Sequence, residues 1–313
     1  MKDKRKKYQP NIFVTLKDLL RMEHLATGFS FLAKKQRVRS ILGGKHASKL
    51  RGRGLDFEEV RNYVAGDDIR NIDWKVTART QKTHSRVFSE EKEKPALIVV
   101  DQSKSMFFGS QENTKSVVAA KLAALSAFRV LKEGDRVGGV IFADNGVDIV
   151  YPKRDRRNIL RFLEKTVERN QELETSDPVA FEEALKEAFA RIINIVSHDF
   201  LIVIISDFMR YSPEVIKFMT RMSYHNDVIA VKIFDPMERD MPATKLVAGD
   251  KKRQIVVDGR KKKLRNKFSE GFDEDYKEFE SLMKKSKIPL LKIDTINPVD
   301  QQIKEILTGK PGK

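Results

Sequence analysis

Cysteine is absent from this chain. That absence excludes disulfides, thiolate metal sites and cysteine nucleophiles together. Histidine is scarce, and His24, His46, His84, His198 and His225 are too scattered to read as a multi-histidine zinc site. There is a single tryptophan, Trp74. No run of about 18 uncharged apolar residues exists, so hydropathy offers no membrane-spanning helix. The opening MKDKRKKYQPNIFVTLKDLL reaches Lys17 and Asp18 too soon to hold the apolar core of a signal peptide. The expectation is a cytoplasmic protein. Also lacking are a nucleophile elbow, a Gly-Lys-Ser/Thr phosphate loop and a His-Glu-x-x-His helix, which removes the commonest hydrolase and nucleotide-binding signatures.

What is present is enough apolar residue to build a sizeable core: 40% of 313 residues. The formal net charge of +16 is unevenly placed, because residues 1–53 hold 15 Lys and Arg against 3 acids, a net of +12. Such an arm attracts nucleic acid, an anionic membrane surface or an acidic partner, or simply solvates one face. No aromatic residues alternate with its charges as a base-stacking platform requires. A second basic run covers Lys251–Arg253 and Arg260–Lys267.

Three regions follow from the pattern. Residues 1–53 form a basic arm, helical where Phe13, Leu16, Leu19, Leu20, Leu25, Phe29 and Leu32 fall at helical spacing, which predicts one or two amphipathic helices over 13–40. Residues 54–94 mix short strands and turns, and are expected to pack as a layer on the sheet that follows. From residue 95 to about 310, strand candidates alternate with helix candidates, the mark of a doubly wound, mostly parallel α/β sheet of Rossmann type. Strands are expected at 96–100, 200–206, 227–234 and 289–293, and a hairpin at 136–143 and 147–151 around Asp144-Asn145-Gly146. Helices are expected at 114–131, 156–169, 179–196, 213–223, 266–285 and 299–307. An excursion at about 236–263 carries one short strand, Gln254–Val257.

In open α/β sheets ligands bind beyond the carboxyl ends of the strands. There the stretch LIVVDQSKSM, Leu97 to Met106, runs from a buried strand into Asp101, with Ser103 and Ser105 two and four positions later. An acid with two hydroxyls is a hard oxygen-donor set, suited to Mg²⁺ or Mn²⁺. A second strong strand ends on Asp207, and the intervening loop ETSDP offers the hydroxyl of Thr175, with Ser176 as its substitute and Asp177 as a helix cap. The residues alone leave a second reading open, in which Asp101 and the serines only bond turn backbone and cap the next helix.

DQSKSM, Thr175 and ISDF with Asp207 together resemble the metal-ion-dependent adhesion site of von Willebrand factor type A domains. GRGLDFEEVRNYVAGDDIRNIDWKVTART and FDPMERDMP resemble the bacterial domain of unknown function family 58, whose members carry such a domain. The resemblance covers roughly residues 40–305. It implies Asp101, Ser103 and Ser105 as direct ligands of Mg²⁺ (or Mn²⁺), Thr175 as a direct or water-mediated one, and Asp207 as an anchor behind them. It also implies a partner, a MoxR-type AAA+ ATPase, and a role in assembly or maturation of other proteins. Within the hallmark, Asp67, Asp68 and Asp73 read either as a second metal cluster or as partners of Arg61, Arg70 and Arg79 around a buried Trp74. The matching number of arginines favours the pairing.

An open metal site held by one carboxylate suits capture of an incoming acid, so the expected function is a non-enzymatic protein-interaction module. The competing classes are a metal-dependent phosphoesterase or nuclease, with Asp101 and Asp207 holding metal, and a nucleic-acid or membrane-surface binder acting through residues 1–53.

Overall fold

The structure is a computed structural model that describes residues 9, 11–31, 55–90, 94–175, 181–209, 211–249 and 254–309. The chain divides into two compact units, residues 44–93 and residues 1–43 with 94–313.

The larger unit begins with helix α1 (Leu16–Leu25). Thr15 starts it by a reciprocal cap, its side chain accepting from the Asp18 N–H while the Asp18 carboxylate accepts from the Thr15 N–H. Leu19 is fully buried, and Leu16, Leu20 and Met22 pack beside it on the main core. The predicted apolar stripe beyond Phe31 lies outside the described residues, as does most of the basic arm.

The smaller unit pairs β1 (Leu55–Asn62) antiparallel with β2 (His84–Glu90), with a bulge between Phe57 and Glu59. Their connection holds a 3₁₀ turn (Ile69–Asn71) and helix α2 (Trp74–Thr80). Its acids act as caps and pairs. Asp68 accepts from the Arg70 N–H, and Asp73 accepts from the Lys75 and Val76 N–H groups. Arg61 pairs with Asp67 at 2.7 Å as expected, whereas Asp73 takes Arg86 at 2.9 Å and not Arg79. The expectation of a buried Trp74 is corrected: its ring is 69% exposed. The cap by Asp73 makes Trp74 the first residue of a seven-residue helix that buries none of its side chains.

The central sheet of the larger unit is built from β3 (Ala96–Asp101), β4 (Val137–Ala143), β5 (Gly146–Lys153), β6 (Leu201–Ser206), β7 (Asp227–Phe234) and β10 (Leu290–Asp294). They form one six-stranded sheet in the order β10-β7-β6-β3-β4-β5. All neighbours run parallel except the edge hairpin β4–β5. The helices are α3 (Lys115–Lys132), α4 (Arg156–Glu172), α5 (Phe181–Ile195), α6 (Pro213–Ser223), α7 (Lys262–Lys285) and α8 (Val299–Thr308). α1, α3, α4 and α8 cover one face of the sheet, and α5, α6 and α7 cover the other. Strand β3 feeds both: Ile98 and Val100 face the first core, Leu97 and Val99 the second. This two-sided burial explains why the strand text is continuously apolar. Close approach fixes one glycine, since a Cβ on Gly139 would lie 2.1 Å from the Phe162 ring.

The expected doubly wound α/β architecture is therefore present. The excursion differs in detail: β8 (Lys245–Gly249) pairs antiparallel with β9 (Gln254–Asp258), so the single expected strand has a partner.

Candidate metal centre

Each of the five parallel strands delivers an aspartate at its carboxyl end. Asp101 and Asp294 are the last residues of β3 and β10, and Asp144, Asp207 and Asp235 immediately follow β4, β6 and β7. A parallel sheet brings all these ends to one edge.

Asp101 is fully buried at the end of an inner strand. One carboxylate oxygen accepts from the Ser103 N–H at 2.8 Å, and the other from the Ser206 hydroxyl at 2.6 Å. The first bond turns the chain immediately after the strand. The hydroxyls of Ser103 and Ser105 then lie 3.1 Å apart, near enough to share a hydrogen bond or to converge on one ion. Burial, and next the charge of Asp207, push Asp101 up to about 7. A carboxylate so disfavoured when ionised, beside two converging hydroxyls, fits a hard divalent cation.

The loop is held from three sides. Behind it runs a line of buried amides: Asn170 of α4 accepts from the Val14 N–H and donates to the Gln102 side chain, which donates to the Ser116 carbonyl. In front, Asp144 accepts from the Lys104 N–H at 2.5 Å. The Lys104 ammonium donates to the carbonyl of Leu173 at the end of α4. That contact ties Leu173, two residues before Thr175, to the ligand loop. Thr175 itself is exposed, with its hydroxyl donating to the Glu172 carbonyl at 3.1 Å. Ser176 and Asp177 lie outside the described residues.

Asp207 is engaged differently. Its carboxylate lies 2.8 Å from the ammonium of Lys115, the first residue of α3, and that ammonium also meets Glu238 at 2.5 Å. The Asp207 and Lys115 side chains are 3% and 1% exposed. Burial works against the charge on each. The mutual attraction wins, holding Asp207 below the usual carboxylate range and Lys115, with Glu238, above the usual amine range. Lys232 of β7 donates to the Asp207 carbonyl at 2.5 Å, and burial holds its amine below its usual range. Sequence spacing brings together Asp101, Ser103, Ser105 and Asp207. It misses Lys115, Ser206, Lys232 and Glu238.

The segment FDPMERDMP braces this end of the sheet. Asp235 is fully buried and accepts from the Ser110 N–H and hydroxyl, the Thr295 hydroxyl and the Met237 N–H. Glu238 closes a reciprocal cap on Asp235 with one oxygen and holds Lys115 with the other.

Residues 59–278 match the model of the family described as "Protein of unknown function DUF58". The chain belongs to this family. Uncharacterized proteins of Mycobacterium tuberculosis and Mycobacterium bovis are each 29% identical to it over 212 residues, which cover 67% of this chain and 65% of theirs. The chain thus spans just under two thirds of these relatives. Among solved structures, the conserved hypothetical protein BatB from Bacteroides thetaiotaomicron aligns with TM-score 0.45 and 16% identity, covering 68% of this chain and 96% of BatB. The SpRpn10 VWA domain aligns with TM-score 0.34 and 12% identity, covering 67% and 92%.

In this DUF58 chain no cluster of three or more His, Asp or Glu side chains placed to hold a metal occurs among the described residues. The expected donor set is of another kind, one carboxylate with hydroxyls. No helix among the described residues is long and apolar enough to cross a membrane.

Proposed function

We propose that the protein is a non-enzymatic, cation-dependent protein-interaction module whose ion, Mg²⁺ or Mn²⁺, is held by Asp101, Ser103 and Ser105. The observation that carries this reading is the buried Asp101 with two hydroxyls 3.1 Å apart beside it, at the carboxyl end of an inner parallel strand. When bound, the ion supplies a positive charge with an open coordination position that takes a carboxylate from a partner. The protein's own residues do the rest. Asp101 supplies the charge, the Ser103 N–H and Ser206 hydroxyl fix its orientation, and the amides of Gln102 and Asn170 keep the loop from collapsing. Thr175, three residues beyond α4, is the proposed further ligand, direct or through water.

The family's hallmark and its resemblance to MoxR-associated proteins make a MoxR-type AAA+ ATPase the proposed partner. The proposed setting is the cytoplasm, and the proposed role is assembly or maturation of other proteins. The phosphoesterase reading fares worse on one specific contact. Two-metal chemistry needs several free carboxylates, and Asp207 and Glu238 are both engaged by Lys115. Calorimetric titration with Mg²⁺ and Mn²⁺, followed by capture of the cognate ATPase, tests the module. Asp101→Ala should abolish both, and ATPase capture that survives this substitution overturns the reading.

A further inference from the structure

A fixed ammonium sits beside the proposed cation site, on the far side of Asp207. Lys115 is 1% exposed along its side chain and lies between Asp207 at 2.8 Å and Glu238 at 2.5 Å. It is placed there by the fold and not by chance collapse. Its N–H donates to the Phe108 carbonyl, which joins the end of the ligand loop to the start of α3, and Thr114 caps that helix. Asp207 in turn sits beside Asp101, because β3 and β6 are parallel neighbours and Val100 is level with Ile205. The positive charge of Lys115 therefore stands one carboxylate away from the ligand carboxylate.

We propose that Lys115 is a resident cation that withholds Asp207 from the bound ion and so sets how tightly the ion is held. The inference rests on the reading of Asp101, Ser103 and Ser105 as the ion's ligands. Two carboxylates, Asp101 and Asp207, stand at the ends of neighbouring strands, and Glu238 joins them only through the ammonium of Lys115. Without Lys115, the charge of Asp207 would act uncompensated on an ion held at Asp101. With Lys115 in place, Asp207 is engaged by an ammonium that it shares with Glu238, and the ion keeps Asp101 as its one carboxylate, with open positions. A weakly held, unsaturated ion gains more from a partner's carboxylate than a saturated one does. Lys115 thus favours dependence on the partner over tight binding in its absence. Glu238 shares the ammonium with Asp207, so it tunes how much of the charge Asp207 feels.

The test is Mn²⁺ and Mg²⁺ titration of the full chain, wild type against Lys115→Met and Lys115→Gln. Both variants should bind Mn²⁺ about tenfold more tightly or better, since an uncompensated carboxylate is left next to the ion. They should also lose part of the partner's contribution to affinity. Loss of structure does not produce a gain in affinity, so a merely structural Lys115 predicts unchanged or weaker binding. Combined with Asp207→Asn, the gain from Lys115→Met should shrink, because the effect passes through Asp207. If the Lys115 variants do not fold, Glu238→Gln carries the test. It leaves the whole ammonium to Asp207 and should weaken Mn²⁺ binding about threefold. Folded Lys115 variants with wild-type affinity, or an unchanged Glu238→Gln protein where those do not fold, overturn the inference while leaving the site intact. A wild-type protein and Lys115 variants that all fail to bind either ion overturn the functional reading itself.

Discussion

Lys115 and Asp207 stand 92 positions apart in the sequence and meet at 2.8 Å in the interior, at the junction of α3 with the end of β6. Both side chains are almost fully buried, and each leans chiefly on the other, with Glu238 as a second partner for Lys115 and Lys232 adding to the attraction on Asp207. Removing one partner of such a buried pair typically costs about 3–5 kcal/mol, because it leaves the remaining charge unpaired. Asp207→Ala should therefore lower unfolding free energy by about that amount. The loss should be smaller for Asp207→Asn, which retains a hydrogen-bond acceptor for the ammonium. Urea denaturation in the presence of a chelator measures both. Equal, small losses in the two variants would show that Glu238 alone suffices for Lys115.

A distinct pH dependence follows from Asp101. Burial and the neighbouring Asp207 push its carboxyl up to about 7, above its value of about 3.9 in an unfolded chain. Below about pH 4 it is protonated in both states and contributes nothing to the pH dependence. As pH rises toward about 7 the unfolded state gives up its proton while the native state keeps it, so the ion-free protein loses stability over that window. Divalent ions bind the ionised form, so their stabilisation should grow over the same window and level off above it. Asp207, held below the usual range by Lys115, acts in a lower window, where its contribution is lost as pH falls. Melting curves with chelator and with saturating Mg²⁺, from about pH 5 to about pH 8, should separate progressively. A gap that stays constant with pH, or one that persists in Asp101→Asn, counts against Asp101 as the ion's charged ligand.

Much of this was legible in one dimension because a doubly wound sheet places its chemistry at the ends of apolar runs. The text LIVVD and LIVIISD shows both the buried strands and the carboxylates that cap them, and in parallel neighbours these must meet. Lys115 was not legible. It opens TKSVVAAKLAAL, where a lysine at a helix start reads as a solvated charge, and only the packing of α3 against the sheet turns it inward. Glu238 lies inside FDPMERDMP, yet its two roles need the contact with Lys115 to be seen. Trp74 misled for the opposite reason. A single large aromatic usually marks a core, and nothing local says that Asp73 will place this one at the exposed start of a short helix.

The braces around Asp235 give a prediction that separates folding from ligand binding. Its buried carboxylate collects Ser110 and Thr295, from the loops after β3 and β10, and is itself placed by the turn after β7. Asp235→Ala leaves several buried donors without an acceptor and should cost roughly 3 kcal/mol or more. Asp235 contacts none of Asp101, Ser103 or Ser105, so ion affinity should fall only where the fold itself is lost. Mn²⁺ titration of the variant at low temperature, beside its thermal melt, distinguishes the outcomes. A variant of wild-type stability with lost ion binding would place Asp235 in the site and not in its support.

Trp74→Ala should cost less than about 1 kcal/mol, the ordinary range for a surface position, and not the several kcal/mol of a core aromatic. The reason is positional. Trp74 is 69% exposed at the first turn of α2, and the helix is held there by Asp73, which accepts from two backbone N–H groups and pairs with Arg86. Asp73→Ala removes the cap and the ion pair together, so it should destabilise residues 44–93 by more than loss of the ring does, by about 1–2 kcal/mol. Hydrogen exchange over Trp74–Thr80 is the appropriate measurement, because it reports the local opening of α2 directly. Faster exchange in Asp73→Ala with little change in Trp74→Ala is the expected pattern. The reverse order would mean that the exposed ring, and not the cap, holds this segment in place.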